Sequence, residues 1–312
     1  MTLPQQNSQA QVSEPRLKLT RPAPENLILP AQDIFDASGI LGAIESEIAD
    51  VADSMAIRKA AVAHLSAARK AGMTAIADAF RADPYAARRM TRSYTYLTDC
   101  LVETAFVVAS TILHPISNPT EQERIALIAV GGYGRGEMAP YSDLDLLFLI
   151  PAKANGELCA ALSEYVLYML WDLGLKVGHA VRTTAQSIEI ARKDETVLTA
   201  MLDLRLLAGD AQPAIKLVTL LSKERSRARK RKYIAQKLTA RDTRHDNEGN
   251  SRYVIEPNVK EGKGGLRDLH ELYWISLFIY GGKNKSAPVS PHSVNTYMQY
   301  GLLNKKAAAR FR

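Results

Sequence analysis

The sequence predicts an α+β fold, a small mixed sheet set between helical segments, and three observations predict it. Residues 124–150, RIALIAVGGYGRGEMAPYSDLDLLFLI, hold two short apolar runs around a glycine-rich turn, the pattern of two buried strands joined by a turn. Residues 175–183, LKVGHAVRT, alternate in polarity and read as a third strand. On both sides lie long stretches whose apolar residues recur three to four apart, the period of helices buried on one face.

In chain order, residues 1–32 are polar and proline-bearing and predict a disordered tail. Residues 33–115 form an N-terminal helical region. Within it Ile57, Ala61, Leu65 and Ala68 mark one apolar stripe, with His64 off it and facing solvent. A second helix, over about 84–113, carries Tyr94, Leu97, Leu101 and Ala105 on one face. Residues 116–212 make the sheet-bearing domain, including a helix over 156–173 and a further short strand over 201–207. A single charged helix is expected over about 213–243, within an accessory region running to 312. Its run 223–232, KERSRARKRK, is the most basic in the chain; it reads as a solvated helix face, with phosphate contact or an acidic protein surface as the functional alternatives.

The chain has 312 residues and a formal net charge of +7, which suits anionic partners. Cys100 and Cys159 are far apart in apolar contexts, arguing against a disulfide framework or zinc site and for a reducing, cytoplasmic location. No signal-peptide core and no uncharged run long enough to cross a bilayer is present, so no membrane partner is expected.

The chemistry concentrates between the first two strands. On a strand, side chains alternate faces, so Asp143 and Asp145 project together while Leu144 and Leu146 turn to the core. Paired carboxylates are hard oxygen ligands that suit Mg2+ shared with substrate phosphates. Glycines at 131, 132, 134 and 136 let backbone N–H groups approach phosphate oxygens. Ser142, directly before the first Asp, strengthens this reading, and a nucleoside triphosphate fits between turn and carboxylates. Residues 134–139 also fit the dinucleotide fingerprint G-x-G-x-x-A, but Pro140 ends any crossover helix that begins there. No phosphate-binding G-x-x-x-x-G-K-[ST] loop occurs.

The Gly-Gly turn followed about ten residues later by Asp-x-Asp resembles the polymerase-beta-type nucleotidyltransferases. GGYGRGEM…YSDLDLLFL is similar to their bacterial protein-PII uridylyltransferase branch. A second block, EPNVKEGKGGLRDLH at 256–270, is similar to that branch's EPN-x-KEG-x-GGLRD-x-H segment; the resemblance covers about residues 45–312. It implies transfer of UMP from UTP to a tyrosine of the PII nitrogen-signalling protein. Asp143 and Asp145 would hold magnesium, and Gly131, Gly132, Arg135 and Ser142 would contact the nucleotide. These enzymes commonly carry a third carboxylate on a neighbouring strand. Residues 175–183 offer none; Asp172 precedes them and Asp203 follows, and of the two Asp203 is the preferred candidate, with a capping or surface Asp an equally good reading of either. Lys260, Lys263 and Arg267 of the second block face the triphosphate or brace the loop. The family's uridylyl-removing HD hydrolase is not expected here, because His245-Asp246 lacks its further ligands and reads as part of a loop. Two other readings stay open: transfer to another acceptor such as a nucleic acid, which is the less favoured partner, and a truncated, non-catalytic binding module.

Overall fold

The computed structural model describes residues 17–19, 22–115, 123–153, 156–248, 256, 258–281 and 298; the expected disordered tail over 1–32 lies partly outside them, and its described part is packed, with Leu17 and Ile28 buried and the Ile28 amide donating to Ser93 Oγ at 2.9 Å. The chain forms two compact units that interleave along the sequence. One comprises Met1–Glu123, Gly136–Leu144 and Asn155–Gly178, the other Arg124–Arg135, Asp145–Ala154 and His179–Arg312.

The first unit is helical. It contains α1 (Ala31–Ile34), α2 (Ala37–Ile48), α3 (Ser54–Ala82) and α4 (Ala87–Val108), the last continuing through a π turn at Ala109–Leu113. Asp36 and Asp53 begin α2 and α3 by accepting from the amides of Gly39 and Ala56, satisfying donors that a helix start leaves open. The stripe on α3 is buried at Ile57, Ala61 and Leu65 and continues to Ile76. His64 lies off it, 2.7 Å from Glu47 Oε2. Residues Ala87–Leu113 are long and apolar enough, by length and composition, to cross a membrane. Within this unit α4 packs on α3 and on the helix Gly156–Asp172 and buries Asp99 and Glu103.

The second unit carries most of the sheet. Its elements are β1 (Ala126–Ala129), α5 (Gly131–Gly134), β2 (Leu144–Ile150), then, beyond the Gly156–Asp172 helix (α6), β3 (Val177–Thr183), α7 (Thr184–Lys193), α8 (Glu195–Leu202) and β4 (Arg205–Gly209). Helices α9 (Ala211–Lys223), α10 (Arg227–Asn247) and α11 (Leu266–Tyr280) follow. The mixed sheet has the order β3-β2-β1-β4. β1 runs antiparallel to both neighbours, with Ala129 opposite Leu146 on one side and Arg205 on the other. Leu146 to Leu149 are buried without alternation, so both faces of β2 are covered. Ala126, Ile128, Leu147 and Leu149 share a core with Leu217, Tyr233, Trp274 and Phe278.

Three sequence expectations need correction. The strand expected over 201–207 begins only at Arg205: Met201 and Leu202 end α8, and Asp203 is its C-cap. The single helix over 213–243 is two, because Ser226 starts α10 by accepting from the Arg229 amide. His245 and Asp246 lie within α10 rather than in a loop, with His245 Nε2 3.0 Å from Asp268 Oδ1. Residues 184–200 carry no element expected from the sequence, although Thr183 and Gln186 form a reciprocal capping box that starts α7.

The break resolves the basic run. Arg225 donates to the Gly281 carbonyl and Lys230 to that of Ile279 at 2.6 Å. Arg229 Nη2 reaches the Ala191 carbonyl at 2.7 Å. These cations serve the carbonyl-rich ends of α11 and α7, where positive charge is favourable, while Lys223, Arg227, Arg231 and Lys232 are exposed.

Candidate nucleotidyltransfer site

β1 ends at Ala129, and the chain turns at once into α5, a single helical turn closed by the Gly134 amide on the Val130 carbonyl and the Arg135 amide on that of Gly131. Gly131 has φ +58°, and a Cβ there would lie 3.1 Å from Asp145 Oδ2. Glycine is needed twice over: for the left-handed backbone, and to let the carboxylate approach the turn. The Val130 amide donates to the Asp145 carbonyl at 3.0 Å, which ties the start of the turn to β2. Asp145 is exposed between buried Leu144 and Leu146.

Asp143 and Ser142 belong to the segment 136–144 of the first unit. Asp143 is exposed, so the alternation read from the sequence holds across residues 143–146. Ser142 Oγ accepts from the Ala139 amide at 3.1 Å, closing the turn before the strand. Tyr141, exposed at the tip, has φ +66°. The Met138 amide donates to Thr95 Oγ1 at 3.2 Å, which anchors this segment to α4.

Asp203 meets the other end of the glycine turn. A Cβ on Gly134 would lie 2.0 Å from the Asp203 carbonyl oxygen, so only glycine permits this approach. The Asp203 side chain has no solvent exposure. Its Oδ2 accepts from Arg135 Nη1 at 2.9 Å and from Trp274 Nε1 at 2.8 Å. Burial pushes its carboxyl above the usual aspartate range, and the charges and hydrogen bonds of Arg135, Trp274 and Tyr273 oppose that shift. Arg135 is itself largely buried, its guanidinium 5.4 Å from the Trp274 ring centre. The structure thus brings together Gly131, Gly132, Arg135, Asp145 and Asp203 around one turn, with Asp203 and Arg135 spent on each other. Trp274 escaped sequence reading because nothing local marks its indole N–H as a partner of a residue 71 positions away.

The second block is braced from within. Asn258 Oδ1 accepts from the amides of Lys260 and Glu261 at 3.1 and 3.0 Å, and Arg267 Nη2 pairs with Glu261 Oε1 at 3.1 Å. Asp268 accepts from the Gly264 amide at 2.7 Å and from Arg244 at 2.6 Å. Lys260 and Lys263 are exposed. Among the described residues, no group of three or more His, Cys, Asp or Glu side chains is placed to hold a metal.

Residues 71–182 match the DUF294 nucleotidyltransferase family, and residues 232–312 match the GlnD PII-uridylyltransferase family. A bifunctional uridylyltransferase/uridylyl-removing enzyme of Ruegeria pomeroyi is 50% identical over 267 residues, 86% of this chain and 29% of that protein. Proteins of the same name from Cereibacter sphaeroides and a Bradyrhizobium strain are 48% and 42% identical, over 81% and 79% of this chain and 27% and 26% of their own lengths. The chain therefore spans under a third of the curated relatives it matches. Both sequence blocks fall inside the matched regions, one in each family match, so the likeness to nucleotidyltransferases and PII-uridylyltransferases runs through both stretches that carry the motifs.

Proposed function

We propose that this chain is a magnesium-dependent uridylyltransferase that moves UMP from UTP to a tyrosine hydroxyl of a PII signal-transduction protein. The observation that carries the reading is the exposed Asp145 carboxylate seated against the glycine turn, with exposed Asp143 two residues before it. The names of the relatives supply the nucleotide and the acceptor class.

Two carboxylates two residues apart in the chain suit magnesium, a hard cation that keeps sites open for phosphate and water. Asp143 and Asp145 would hold it, and when bound it offsets the charge that grows on the phosphates during transfer. The amides of Gly131 and Gly132 face the triphosphate, and backbone donors aimed at developing charge need no reorganisation. The acceptor oxygen attacks the α-phosphorus, the bond to the β-phosphate oxygen breaks, and pyrophosphate leaves with the electron pair while the phenolic proton passes to water. Ser142 shapes the approach to Asp143 through its bond to the Ala139 amide. Asp203 serves as a buried counter-ion to Arg135 and not as a third metal ligand, since its carboxylate is sealed from solvent.

The test supplies the folded chain with each of the four α-labelled nucleoside triphosphates, magnesium, and either purified PII or RNA. Label from UTP on PII is the expected result. Label on RNA would assign a different acceptor, and nucleotide binding with no transfer would leave a binding module.

A further inference from the structure

The glycine turn beside Asp145 is held by several ties within the second unit. Arg205 donates from Nε to the Gly134 carbonyl at 3.2 Å and from Nη2 to the Tyr133 carbonyl at 3.0 Å. The turn's last glycine packs on the Asp203 backbone. Arg135, which follows the turn directly, is clamped on Asp203 Oδ2, and the same oxygen takes the indole N–H of Trp274. Two donors on one oxygen of a side chain sealed from solvent fix the carboxylate rotamer, because rotation would forfeit both bonds. The indole is fixed in turn, with Lys237 Nζ and the Arg267 guanidinium 5.3 and 5.8 Å from its ring centre. Trp274 stands on α11, the helix that opens within the second sequence block.

We propose that Trp274 and Asp203 are positioning residues for nucleotidyl transfer. By fixing Arg135 they lock the glycine turn in the conformation that presents its amides to the triphosphate, and the second block acts on the reaction through that turn. The inference rests on the proposed transfer reaction and adds how it is aligned. Such residues touch no reacting atom, yet a displacement of about 1 Å at a phosphate cradle can lower turnover on the order of 100-fold.

The experiment uses the full 312-residue chain. Trp274→Phe keeps the ring and removes the donor. The expected result is a fall in kcat of about 10- to 100-fold, with the circular dichroism spectrum and the KM for PII unchanged. Adding Asp203→Asn should produce little further loss, since residues acting as one unit are non-additive. A second readout keeps Trp274 in place. Trp171 is the other of the two tryptophans, so in Trp171→Phe protein the emission of Trp274 reports on the turn. That emission should shift as magnesium and UTP saturate the site, and Asp203→Asn in this background should abolish the shift. Unchanged kcat in folded Trp274→Phe protein, or emission that ignores UTP shown to bind, would overturn the proposal. If Trp274→Phe fails to fold, the emission measurement decides. A wild-type chain that binds UTP and transfers nothing defeats the transfer reading alone and leaves the emission test of the turn standing; one that does not bind UTP defeats both.

Discussion

Asp145 and Asp203 meet the same four-residue turn at its two ends, one against Gly131 and the other against Gly134. The first is exposed, and the second has a side chain with no exposure and two donors on one oxygen. Identical side chains thus have opposite physical lives. An exposed carboxylate contributes little to stability and is open to a cation. A sealed one is costly to keep charged unless its partners compensate. The comparison teaches that a carboxylate beside this glycine turn is assigned by its solvent access, not by its distance along the chain.

The sharpest way to break this contrast is to neutralise the exposed carboxylate. Asp145→Asn should lower UMP transfer at least on the order of 1,000-fold, equivalent to about 4 kcal/mol of barrier, while stability by urea unfolding stays within about 0.5 kcal/mol. A large loss of stability instead would place Asp145 with Asp203 in kind. Asp203→Ala should instead show a large effect on stability. It strands Arg135 in a buried site, and unfolding by urea should show a cost of about 3–5 kcal/mol.

Smaller effects sharpen the account. Gly131→Ala must place an L residue at φ +58° and push a methyl to 3.1 Å from Asp145 Oδ2. A cost of about 1–2 kcal/mol is expected from the backbone alone, together with a raised KM for UTP; an unchanged KM would show that the turn does not touch the nucleotide. The smallest effect concerns Glu261, which the hydrogen bond from Arg267 holds below its ordinary value of 4.5. A depressed folded-state pKa contributes stability above 4.5 that is lost as pH falls through the folded value. The pair is partly exposed, so its worth is under about 1 kcal/mol. The stability gap between wild type and Glu261→Gln should therefore be open near neutral pH and close on acidification below 4.5.

The parts legible in the sequence were those governed by local pattern. Apolar runs marked β1 and β2, and alternation put Asp143 and Asp145 on the exposed side. The break at Ser226 was hidden because a lone serine in a charged run competes with strong helix formers on either side. Asp203 was indistinguishable from a ligand for a different reason. Its fate is set by Arg135 and Trp274, 68 and 71 positions away in the chain, and no local periodicity encodes such a meeting. The helical form of the Gly131–Gly134 turn was likewise not legible, since glycine has poor intrinsic helix propensity and the anchoring at Val130 and Asp203 selects that conformation.

The central claim is that the exposed pair carries the transfer reaction, and it is tested most directly by following label from α-labelled UTP onto purified PII with magnesium, comparing the wild-type chain with the Asp143→Asn, Asp145→Asn double variant. The account predicts labelled PII from the wild type and none from a double variant that melts at the same temperature. Equal labelling by both proteins would contradict it.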